Sequence, residues 1–211
     1  MNGILALQGG GPFAANDDLD RRLLTAAAAT RVVMLPTADA YEHPERLVAA
    51  ALNWGERLDV EVEALMVMRR GEAMDEGAVG VLRGARAVYL VGDQPLHLRS
   101  VLKGTPLWEA ITQVLADGGV VAATGGSAAA MCDPMVDPRG GAFTLGLGLI
   151  DGLALVTEAE TWSTDRLHRT LKLANTPVVE LPSGAALVHT VEGWEQVGEV
   201  TIHGDLPVTP R

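Results

Sequence analysis

Aromatic residues make up only 4% of the chain, there is a single cysteine, and acidic side chains outnumber basic ones 27 to 16. Each shortage excludes something. With one thiol, Cys132, the chain has no internal disulfide framework and no cysteine-based zinc site. A formal net charge of −11 argues against nucleic acid, whose binding needs basic patches that displace counterions, and against an anionic membrane surface. No apolar run approaches the roughly 18 residues that span a bilayer. No cleavable signal pattern precedes the first strand, expected from about Ile4, so a cytoplasmic protein is the expectation. There is no HExxH pattern and no clustered ligand spacing, so neither a metal nor another cofactor is expected. There are also no internal repeats and no low-complexity linker.

What the chain does have is aliphatic content. Hydrophobic residues reach 48% of its 211, enough for one domain with a large Ala, Val and Leu core. Gly3–Leu7, Thr30–Leu35, Val60–Met66, Ala87–Val91 and Val120–Ala123 read as strands. Helical spacing falls between them, over about Leu19–Ala28, Glu42–Leu58, Asp75–Gly84 and Pro106–Leu115. Such alternation predicts an α/β fold, a mostly parallel sheet sandwiched by helices. Beyond residue 150 the pattern becomes β-rich. A strand over Leu153–Thr157 and a helix over Thr164–Ala174 precede three segments, Pro177–Leu181, Ala185–Thr190 and Glu195–Ile202, that read as antiparallel strands of a C-terminal lobe in the same domain. Asp205–Arg211, with two prolines, reads as an irregular tail.

The stretch Leu115–Met135 organises the rest. Its short buried strand turns at Gly125-Gly126-Ser127 into the helix-forming run Ala128-Ala129-Ala130, the topology of a nucleophile elbow. A helix start there aims N–H groups at an oxyanion forming beside Ser127. A tight turn with an incidental serine is the plainer alternative. In a parallel sheet, ligands sit at the carboxyl ends of the strands. The loops Gly9–Pro12, Gly92–Gln94 and Gly125–Ser127 are all expected at that edge. The Gly9-Gly10-Gly11 loop lacks the lysine and the spacing of a phosphate loop.

These segments resemble the serine peptidases of the aspartyl dipeptidase E and cyanophycinase family, whose fold is like that of the class I glutamine amidotransferases, a flavodoxin-like three-layer arrangement. The resemblance rests on Gly9-Gly10-Gly11-Pro12-Phe13, Val88–Gln94, Leu102–Leu107, Ala123–Ala130 against the family's GTSAGA elbow, and Gly146–Ile150. It implies Ser127 as nucleophile for amide or dipeptide hydrolysis. The Ala128 amide and an amide of the Gly92-Asp93 loop would form the oxyanion hole, and Gln94, with Gly10 and Gly11, would touch substrate. It also implies a small peptide or amino-acid-derived substrate.

Against that pattern the triad is incomplete. The family's basic histidine falls on or beside Glu160, and its acid falls near Ser183. A serine needs a base, and the candidates are His168, His97 and the pair Glu158 and Glu160. His43, beside Pro44, reads as a solvated helix start, His189 and His203 as strand residues of the C-terminal lobe, and Cys132 as a packed small residue. Trp54 and Trp162 read as core or pocket wall. Only Arg166 and Arg169 are placed to favour acidic substrates. Two functions follow: a divergent serine hydrolase, or a catalytically inactive homologue that binds a small molecule or a protein. A homodimer is a further expectation.

Overall fold

The computed structural model describes residues 2–207. The first half alternates strand and helix: β1 (Ile4–Gln8), α1 (Asp17–Ala26), β2 (Arg31–Leu35), α2 (Pro44–Leu58), β3 (Glu61–Ala64), α3 (Glu76–Val81), β4 (Ala87–Leu90), α4 (Pro95–Leu102), α5 (Pro106–Ala116), β5 (Val120–Thr124) and α6 (Gly126–Ala130). Next come four two-residue strands, β6 (Cys132–Asp133), β7 (Met135–Val136), β8 (Phe143–Thr144) and β9 (Ile150–Asp151). The chain continues through β10 (Ala154–Thr157), α7 (Thr164–Leu173), β11 (Val178–Leu181), β12 (Ala186–Thr190), β13 (Gly193–Val197) and β14 (Thr201–His203). Part of the sequence tail, residues 208–211, lies outside the described residues.

The central sheet has seven strands in the order β13-β12-β1-β5-β4-β2-β3. Its five N-terminal strands are parallel, and β12 and β13 extend it antiparallel. Parallel strands are covered on both faces, so both sets of alternating side chains must be apolar. β5 is accordingly buried at all five positions. One face sets Leu5, Leu7, Val33, Leu35, Val88 and Leu90 against α4, α5 and α6. The other carries the small residues Ala6, Ala87, Ala122 and Ala186, which make room for Phe13, Trp54 and Tyr89. Those three rings pack together with centroids 5.3 to 6.4 Å apart. Three of the chain's eight aromatic residues thus meet on the α1/α2 side.

Local signals fix several helix starts. Thr105 caps α5 through the Trp108 amide, with Pro106 at the first position, and Ser163 caps α7 through the Arg166 amide. Asp75 caps α3 twice.

The C-terminal half differs from its sequence pattern. The expected antiparallel lobe is split between two sheets. β12 and β13 join the main sheet, whereas β11 runs parallel to β10 and antiparallel to β14 in a separate three-stranded sheet. The expected strand over Glu195–Ile202 is broken around Gly198, at φ 73°, so its two halves pair with different partners. No helix among the described residues is long and apolar enough to cross a membrane.

Candidate functional site

β1 and β5 are neighbours, but the chain leaves them on opposite faces. α1 packs on the aromatic side of the sheet and α6 on the other. Such a switch of direction opens a crevice at the carboxyl ends of the two strands. The loops there do meet. The Gly125 amide donates to the Gln8 carbonyl at 3.1 Å, and the Glu158 amide to the Gly9 carbonyl at 2.9 Å. The Asp93 amide donates to the Asp39 carboxylate at 2.7 Å.

The elbow residue is Gly125. It is the one residue between β5 and α6, at φ 63°, ψ −134°. This is the strained strand-to-helix corner on which an elbow carries its nucleophile, and glycine tolerates it without a side chain. Ser127, assigned to that role from the sequence, lies two residues further on, inside α6. It is fully buried. Its hydroxyl donates to the Gly92 carbonyl at 3.1 Å and its amide to the same oxygen at 2.9 Å. The sequence signal was present: keeping Thr124 in register with the threonine of GTSAGA puts Gly125 on the serine.

The groups expected around a nucleophile are arranged differently too. The Ala128 amide donates to the Gly125 carbonyl at 3.0 Å, and the Asp93 amide is held by Asp39, so neither faces a substrate oxyanion. The Asp93 carboxylate instead lies over the elbow, accepting from the Gly126 amide at 3.4 Å. A Cβ added at Gly125 would overlap it.

The sequence-derived bases are dispersed. His168 is exposed on α7. His97 binds the Met68 carbonyl through Nε2 at 3.0 Å and packs edge-on to Tyr41, with centroids 4.8 Å apart. His43 pairs with Glu45 and His203 with Glu180. His189 is buried beside Trp194, and its two ring nitrogens have no partner among the described residues. Cys132 is buried, which pushes its thiol up.

Glu160 and Ser183 come together, the Ser183 amide donating to both carboxylate oxygens at 3.2 Å. Burial works against ionisation of Glu160, but the Ser183 hydrogen bonds outweigh it and hold the carboxyl below its usual range. A carboxylate so stabilised is a poor base.

Glu158 is the opposite case. Burial, then the nearby charges of Asp93, Glu160 and Asp39, raise its carboxyl. It sits at φ 48°, with its side chain against Gly10, where an added Cβ would come within 2.7 Å of Cγ. Burial, with Asp39 nearby, also raises Asp93. Asp39, which the sequence pattern did not single out, therefore both orients Asp93 and opposes its ionisation. Gln94 precedes α4 without a side-chain cap bond and lines an adjoining cleft of about 410 Å³ with Asp39, Glu42, His43, Arg46 and Asp93. Gly11 is at φ 66°, and a Cβ added there would come within 2.7 Å of the Ala15 Cβ. Arg166 stacks on Trp162, 3.6 Å from the ring centroid, while Trp54 is core. No group of three or more His, Cys, Asp and Glu side chains among the described residues is placed to hold a metal ion.

The architecture is a mixed α/β fold shared with peptidases. A peptidase from an acI-B1 actinobacterium superposes with a TM-score of 0.87 at 24% identity, over 99% of this chain and 93% of its own. A protein of Listeria monocytogenes EGD-e assigned to peptidase E superposes with a TM-score of 0.67 at 16% identity, over 96% of this chain and 98% of its own. No protein-family model and no curated protein sequence matches the chain.

Proposed function

We propose that this chain is a non-hydrolytic relative of the peptidase E-type proteins, a binding module whose crevice takes a small amine-bearing molecule such as a basic amino acid or dipeptide. One observation carries the reading: the elbow position is Gly125, and the Asp93 carboxylate fills the space a nucleophile would use. Without a side chain at the corner there is no hydroxyl to attack a carbonyl. Ser127 supports no substitute mechanism, because its hydroxyl is buried on a backbone carbonyl and no histidine contacts it. Asp39, Asp93, Glu158 and Glu160 give the crevice an acidic excess, although Arg46 and His43 line the adjoining cleft, and that excess suits a cation and disfavours an acidic dipeptide.

A second reading is hydrolysis by a water that Glu158 or Asp93 activates, favoured by the raised carboxyls of both. Calorimetric titration with lysyl, arginyl and aspartyl dipeptides, with chromatography of the same mixtures, separates the readings. Binding of the cationic dipeptides without new products supports the binding module. Turnover that survives Ser127→Ala and is lost in Glu158→Gln supports the carboxylate mechanism. Turnover lost in Ser127→Ala overturns both.

A further inference from the structure

Beneath the Gly9–Gly11 loop lies a buried polar network that the crevice chemistry does not use. Asp20, on α1, is 1% exposed. Three donors from three different elements converge on its carboxylate. Gln8 Nε2 from β1 and Tyr89 Oη from β4 reach Oδ1 at 2.7 and 3.0 Å, and Trp54 Nε1 from α2 reaches Oδ2 at 3.1 Å. The network then runs upward. Gln8 Oε1 accepts from Thr124 Oγ1 at 3.1 Å and from Asn16 Nδ2 at 3.3 Å, and the Gln8 carbonyl accepts the Gly125 amide. Asp20 is thereby joined by two side-chain hydrogen bonds to the residue that precedes the elbow glycine.

We infer that Asp20 is a proton-operated switch, whose protonation turns the Gln8 amide and re-partners Thr124, so that the elbow and the first glycine loop respond to pH. An ionised Asp20 satisfies all three donors. A protonated carboxyl carries an O–H of its own, which needs an acceptor; the indole N–H and the amide NH₂ cannot accept, and the Tyr89 oxygen can do so only by turning its own O–H away from Asp20, its one hydrogen-bond partner among the described residues. The Gln8 amide can supply one by rotating its oxygen toward Asp20. Its NH₂ then faces Thr124 Oγ1, a hydroxyl that can accept as well as donate, and the buried Asn16 keeps its contact by turning its own amide to present Oδ1. In a buried site an unsatisfied donor is costly, so the rearrangement is concerted.

The charges facing Asp20 are few. On α1 there is Asp17, itself held by Arg57 of α2 at 3.0 Å. β4 contributes the titratable phenol of Tyr89, which burial raises further. β1 and β5 contribute only the neutral Gln8 and Thr124. Burial first, partly offset by the three hydrogen bonds and reinforced by Asp17, moves the Asp20 carboxyl up to about 6, within a range that cells reach.

Nitrogen–proton NMR from pH 4.5 to 8 tests this in wild type and in Asp93→Asn, where the carboxyl that accepts from the Gly126 amide no longer titrates. In Asp93→Asn the Trp54 indole resonance and the Gly125 amide are expected to titrate together with one midpoint near pH 6. Adding Gln8→Met, which removes a hydrogen bond that holds the Asp20 carboxyl down, is expected to move the Trp54 titration to higher pH and to flatten that of Gly125. An indole that does not titrate overturns the switch. An indole that titrates while the Gly125 amide stays fixed overturns its link to the elbow.

Discussion

The carboxylate of Asp93 stands where a side chain at Gly125 would have to go. These two residues exclude each other's alternatives. A serine at the corner would need Asp93 to withdraw, and Asp93 as placed requires glycine. With glycine at the corner, the chain presents no side-chain hydroxyl there.

Restoring the serine should therefore cost stability rather than confer activity. Gly125→Ser puts a side chain at φ 63°, a strain of about 1–3 kcal/mol, and adds the overlap with Asp93. Thermal denaturation is expected to show a loss of several degrees. Adding Asp93→Gly should recover part of it, so the two changes will be non-additive. Equal losses with and without Asp93→Gly would disprove the steric coupling.

Ser127→Ala should behave as a packing change. It removes one neutral hydrogen bond, and the Gly92 carbonyl keeps the Ser127 amide. The expected cost is about 1 kcal/mol in denaturant unfolding, with ligand affinity unchanged.

Stability should fall as pH rises through the Asp20 transition. The folded carboxyl binds its proton more tightly than the unfolded one, with values of about 6 and 3.8 respectively. The stabilising contribution is thus complete below pH 4 and lost above about pH 6, a swing on the order of 3 kcal/mol. Subtracting the Asp20→Asn curve from the wild-type curve isolates this term from the other carboxyls. A difference curve that is flat between pH 4 and 7 would show that Asp20 does not titrate in that window.

Cation binding at the crevice should strengthen with pH for the opposite reason. Asp93 and Glu158 are both raised by burial and by neighbouring charge, so each must lose its proton before it attracts an ammonium group. Affinity measured by calorimetry is expected to rise from pH 4 and to level off once both are ionised. Glu158→Gln should weaken it and reduce the pH dependence.

Much of the fold was legible in the sequence because its signals are local. Runs such as Val32–Leu35, Ala87–Val91 and Val120–Ala123 are apolar on both faces, and Pro106 and Ser163 mark helix starts. α4 was not assigned from the sequence, although Pro95 stands at its first position as Pro106 does in α5. The split of the C-terminal strands was not legible either, since whether β11 pairs with β10 or with β12 is a long-range choice that alternation does not encode. At the site, the sequence identified the loops that meet but misjudged the corner by two residues. Asp39 and Asp20 escaped notice for a similar reason, as each gains its role only from partners brought in by the fold.

The central claim is that no activated serine exists at this elbow. Incubation of the folded protein with a fluorophosphonate probe, followed by intact mass measurement and peptide mapping, tests it most directly. The account predicts no adduct on Ser127, in wild type as in Ser127→Ala. A stoichiometric adduct on Ser127, absent from the alanine variant, would contradict it and return the chain to the serine hydrolases.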